Sequence, residues 1–195
     1  VAAAYAELAA QADRLFAHLT DPDGHHAVRV VYTAVPDVYR DASELRASVL
    51  SRRLLEVHSA AYDRDRQHPS LDCSMGGAFD RFRAVHDVVS HGWLGHDFGR
   101  DGEYSAWRAE HLLYHGAARS ALATELHAQH SVRWTTGDLA PYRATLLDDG
   151  LVRASMRAGR PVPVHPGCAR VTPRRDVRSP GAAIPNGTGV DDRGG

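Results

Sequence analysis

The sequence contains no lysine; all 23 of its basic residues are arginine. A GC-rich coding bias explains that at least as well as a demand for bidentate anion binding. Net charge is missing too: 23 basic against 24 acidic residues leave −1 at pH 7, so no global field draws in nucleic acid or an anionic membrane surface. Cysteine is scarce. Cys73 and Cys168 stand far apart without CxxC spacing, which argues against a disulfide framework or a thiolate zinc site and suits a reducing cytoplasm. No run approaches the roughly 20 consecutive apolar residues that crossing a bilayer needs. The first helical stretch carries Glu7, Asp13 and Arg14, so neither a membrane span nor an export leader is expected, and the protein should be soluble and cytoplasmic. Because the first residue is Val1 rather than Met, a trimmed start with residues missing upstream is one reading.

What is present is a length of 195 residues with 43% apolar positions, enough for one domain with a real core. Tyr5, Leu8, Ala12, Leu15, Phe16 and Leu19 recur at intervals of three and four and predict an amphipathic first helix. Ala27 to Thr33 is short and β-branched and reads as a strand. Asp41 and Glu44 form a capping box before a helix carrying Leu45, Val49 and Leu50, and a second short strand fits Leu54 to His58. Residues 60–77 lack periodicity and hold Pro69, Gly76 and Gly77, the mark of a long ordered loop. A helix follows from Ala78 until Gly92 and Gly95, then one from near Gly102 and one from near Gly116. The expected fold is a mostly α, compact helical domain with one or two short strands over residues 1–160. Residues 161–195, rich in Arg, Pro and Gly, are expected to be a disordered tail.

Histidine is the unusual component: seven of the 13 (His86, His91, His96, His111, His115, His127 and His130) fall between residues 86 and 130. His86 shares a helix stripe with Phe82 and Val89, so its ring points inward, where it needs a partner; a backbone carbonyl would suffice for a structural histidine. His91 follows five residues later, a step of about 500° in a regular α-helix, so the two rings converge only where the helix ends or is distorted. Farther on, Ala118, Ala121, Leu122, Ala128 and Val132 trace an apolar face with Glu125 in its middle. A buried carboxylate there calls for a cation, several donors or an arginine. His86, His91 and Glu125 are therefore the expected metal ligands. Two imidazoles and one carboxylate leave open positions on iron(II) for dioxygen and a small organic substrate.

Around them, Asp87 is expected to orient a ligand histidine, Gln129 to donate to Glu125, and Glu103 to be a fourth ligand, a base or an acid favouring a helix N-terminus. Trp93, Phe98, Trp107 and Tyr114 are the candidate pocket walls. His127 and His130 read as surface or supporting residues. Should Glu103 and His111 or His130 also face inward, two metals could be held as in di-iron bundles, although the Glu-x-x-His spacing of those bundles is absent.

The stretch from residue 82 to 131, with His86-Asp87, His91, Gly102-Glu103, Ala106-Trp107, Thr124-Glu125 and Gln129, resembles a group of bacteriophage and actinobacterial proteins of unassigned chemistry. It is also distantly similar to the iron- and pterin-dependent aromatic amino acid hydroxylases. That resemblance implies His86, His91 and Glu125 as iron ligands. Asp87 stands where the hydroxylases carry glutamate and Ser90 where they carry glycine, departures that count against a pterin and an aromatic substrate. The expectation is a mononuclear non-haem iron(II) oxygenase. A zinc-dependent hydrolase using the same ligands, with Glu103 as base, and a non-catalytic binding module with a structural metal or a buried Arg–Glu network are the alternatives.

Overall fold

A computed structural model describes residues 1–137 and 141–158, and the backbone of a strand at 169–171. It is mostly α, with a small parallel sheet. Helix α1 (Ala2–Thr20) leads into β1 (Arg29–Thr33). Helix α2 (Ala42–Ala47) continues as a π-helical turn, Ser48–Arg52, before β2 (Leu54–His58). Strands β1 and β2 pair in parallel, Arg29 opposite Leu54, a pairing that requires a crossover, which α2 supplies. Asp41 does cap α2, accepting from Glu44 N, and Glu44 reaches back to Arg40 N, one residue outside a strict capping box.

The loop at 60–77 contains two short 3-10 turns, Ala60–Tyr62 and Arg64–Arg66. Asp80, fully buried, ties the segment down by accepting from Ser59 Oγ, Ala60 N and Gly76 N. Helix α3 (Ala78–His86) then runs into a seven-residue π-helix, Asp87–Trp93. After α4 (Arg100–Glu110), helix α5 (Ala118–Leu122), a second long π stretch (Ala123–Ala128) and α6 (Gln129–Thr136) form one continuous rod. Strand β3 (Thr145–Leu147) and α7 (Asp149–Ala158) follow. Strand β4 (Ala169–Val171) pairs antiparallel with β3, so the stretch expected to be an unstructured tail contributes at least this strand. The remainder of 161–195 lies outside the described residues.

Two apolar clusters hold the fold. One gathers Tyr5, Leu8, Phe79, Phe82, Trp107 and Leu122 from α1, α3, α4 and α5. The other packs Leu19, Leu45, Val49, Leu55, Val85 and Val88 between the sheet, α2 and α3. Helix α3 serves both, which fixes its π-helical end between them. Among the described residues no helix is long and apolar enough to cross a membrane.

Candidate metal centre

The five-residue step from His86 to His91 is reconciled by the π-helix. Hydrogen bonding from i to i+5 brings residues five apart onto nearly the same face, and the His86 and His91 Nε2 atoms lie 3.1 Å apart. Each ring is braced through its other nitrogen. His91 Nδ1 donates to the carbonyl of His96 at 2.8 Å, which leaves its Nε2 a bare lone pair. His86 Nδ1 meets Glu110 Oε1 at 2.6 Å, and Ser90 Oγ donates to the same oxygen. The residue that orients His86 is thus Glu110, fully buried on α4, and not Asp87, which makes no hydrogen bond to either ring among the described residues.

The carboxylate that joins the two rings is Glu103. Its Oε2 lies 3.4 Å from His86 Nε2, 3.8 Å from His91 Nε2 and 3.0 Å from His130 Nδ1, yet this buried oxygen has no well-aligned hydrogen bond. Glu103 stands in the first turn of α4, where Gly102 lets the helix start against Asp97: a Cβ at Gly102 would fall 2.2 Å from the Asp97 carbonyl oxygen. His86, His91 and Glu103 offer ligand atoms that all lie within 4.8 Å of one another. Donors each about 2.0–2.2 Å from an ion at tetrahedral or octahedral angles sit about 3.0–3.5 Å apart. The triangle of 3.1, 3.4 and 3.8 Å therefore closes on one ion with shifts of a few tenths of an ångström. Without an ion, a proton on His86 must lie between the two Nε2 atoms. Burial opposes that charge, but the Glu110 and Glu103 carboxylates outweigh it and raise the His86 pKa well above the usual imidazole range. Burial likewise opposes ionised Glu103, and the adjoining His130 and His86 rings override it and hold the acid well below its usual range. His91 is shifted the other way, lowered by burial and by the neighbouring His86.

Glu125, the expected carboxylate ligand, is not part of this cluster. It is buried, as its helix face requires, but Oε1 accepts from Tyr5 Oη at 2.5 Å and from His68 Nε2 at 3.2 Å. Ser70 N donates to His68 Nδ1, which fixes the ring proton on Nε2. Of the three expected answers to this carboxylate, a cation, several donors or an arginine, the second is found: two neutral donors, from α1 and from the 60–77 loop. The donors that reach Glu125 among the described residues do not include Gln129, whose Oε1 is itself buried without a partner.

The three candidate ligands and Glu125 border one cavity of about 690 Å³, whose wall also includes Asp87 and Gln129. Of the four aromatic residues expected to form its walls only Phe98 does so, packed edge-on against His91 at 4.7 Å. Trp107 is wholly buried and stacks on His127 at 4.4 Å. Tyr114 lies in the core, and Trp93 packs against the second apolar cluster. Tyr39, Phe79, Phe82 and Tyr142 line the cavity in their place. His127 is buried beside Ser155 of α7 at 2.9 Å, and His130 supports Glu103. Inward-facing Glu103 and His130 do not generate a second cluster: among the described residues the ligand atoms form a single group of three. Comparison with protein families, curated proteins and solved structures finds no match to the chain.

Proposed function

We propose that the chain is a mononuclear metal-dependent enzyme, a non-haem iron(II) oxygenase acting on a small organic substrate with dioxygen, its ion held by His86, His91 and Glu103. The carrying observation is the buried Glu103 Oε2, without a well-aligned hydrogen bond, lying 3.4 and 3.8 Å from two braced imidazole nitrogens at the edge of the cavity. Two neutral imidazoles and one carboxylate suit iron(II) and leave coordination positions open for dioxygen chemistry. The protein's part is orientation. Glu110 and the His96 carbonyl fix each ring's tautomer and angle, His130 steadies Glu103, and Phe98 shields the His91 ring. The open side faces the cavity, where Asp87 presents a carboxyl group whose pKa burial pushes up.

That Asp87 carboxyl favours a second reading. With Glu103 used as ligand, Asp87 is the acid left to serve as a base in a zinc hydrolase built on the same three donors. The test is to load the protein with iron(II) without air and add nitric oxide, which ligates iron where dioxygen can. The oxygenase reading expects the paramagnetic iron–nitrosyl signal in the wild type and its loss in His91→Ala. A metal-loaded wild type that stays silent, and that cleaves chromogenic esters or amides only with zinc, moves the assignment to the hydrolase.

A further inference from the structure

The cavity wall also carries the guanidinium groups of Arg66, Arg83 and Arg133, none of which closes an ion pair among the described residues, and the first two share one aromatic pair. Arg83 lies one helical turn before His86 on α3, its Nη1 donating to the His58 carbonyl at 2.8 Å and its Cζ 6.0 Å from the Phe79 ring centre. Arg66, in the second 3-10 turn, holds its Cζ 5.8 Å from the Tyr142 ring centre. Phe79 and Tyr142 meet edge to face at 5.2 Å, so the two cations lie over adjoining rings of one aromatic pair. Stacking of this kind positions a guanidinium and leaves its N–H edges free for a bidentate oxyanion.

Of the acids nearby, Asp63 and Glu125 are otherwise engaged, while Asp87, four residues beyond Arg83 on the same helix, feels the Arg83 charge without closing an ion pair. Asp63 contacts His58 Nε2 at 3.1 Å, Glu125 is met by Tyr5 and His68, and Asp87 makes no ion pair with either arginine. Arginine ion pairs among the described residues involve only Arg40 and Arg81. Two like charges on one cavity wall, one of them half-buried, make that wall a favourable place for an anion. We infer that this wall binds an anionic group of the substrate, a carboxylate or a phosphate, while another part of the same molecule reaches the ion at His86, His91 and Glu103. The inference rests on the metal reading above. One turn of α3, about 5 Å along its axis, separates Arg83 from His86, so the substrate is a compact molecule with its anion a few bonds from the reacting atom.

Three probes test this on zinc-loaded protein by calorimetry: benzohydroxamate, which chelates the ion, and the same molecule with a para carboxylate or a para phosphonate. At least one tailed probe should bind about tenfold tighter than the parent, and which of the two gains identifies the anion. The gain should vanish in the Arg66→Gln/Arg83→Gln double variant while affinity for the parent stays unchanged. Equal affinities of all three for the wild type, or a gain that survives the double substitution, overturns the anion site. Failure of the parent probe to bind the loaded wild type overturns the metal reading instead. Inorganic phosphate, titrated without metal, then tests the arginines separately: it should raise the wild-type melting temperature and not that of the double variant, and equal shifts reject the site.

Discussion

A single side chain decides how well His86 can serve as a ligand. Glu110 Oε1 takes both the His86 ring and Ser90 Oγ, within a fully buried setting, so it sets which imidazole nitrogen faces the ion. Glu110→Gln is expected to weaken metal affinity about 10–100-fold, the usual cost of removing such a brace, with the fold retained. Competition with a chromogenic chelator measures it; unchanged affinity would show that Glu110 only fills space. At this scale the sequence is legible in part. His86 and the burial of Glu125 follow from their places on apolar helix stripes. What answers the Glu125 charge does not, because Tyr5 and His68 arrive from 120 and 57 residues away. Glu103 is legible only as one of three possibilities, a fourth ligand, a base or a helix-terminal acid, and Glu110 carries no signal; the packing of α4 against the π-helical stretches decides both.

The π-helix Asp87–Trp93 is the element on which the site depends, and Gly92 sets how closely it approaches the π turn after α2. A Cβ at Gly92 would lie 2.9 Å from Val49 Cγ1, and Val49 is wholly buried. Gly92→Ala should therefore cost about 1–3 kcal/mol of stability through overpacking and weaken metal binding by displacing His91. Adding Val49→Ala should recover part of both losses. Chemical denaturation with parallel metal titration checks this, and a Gly92→Ala protein as stable as the wild type contradicts it. Helix positions are readable from apolar periodicity, which is why α1, α3 and the α5–α6 rod fall where expected. The π distortion is foreshadowed only indirectly, by a His–His spacing that a regular helix cannot reconcile; the parallel β1–β2 pairing and the packing of Tyr142 over Phe79 leave no local signature at all.

Over the whole molecule, the C-terminal part of the described chain is docked through polar contacts to the site's supporting helices. His127 meets Ser155 Oγ, and Tyr104 donates to the Ser155 carbonyl. Burial, with a smaller contribution from His130, pushes the His127 pKa down from 6.5 to about 4. The unfolded chain therefore takes up this proton at higher pH than the folded one. The contribution is complete above pH 6.5 and lost as pH falls toward about 4, on the order of 3 kcal/mol for a shift of that size. In His127→Phe the dependence of unfolding midpoint on pH across that window should flatten, and parallel curves for variant and wild type would contradict the assignment. The ion itself should add stability that grows with its free concentration. The central claim is the identity of the carboxylate ligand, and the most direct measurement is metal content by mass spectrometry after iron(II) loading and desalting. Wild type and Glu125→Gln should retain near-stoichiometric iron, while His86→Ala and Glu103→Gln should retain almost none. Full iron in Glu103→Gln together with an emptied Glu125→Gln would contradict the account.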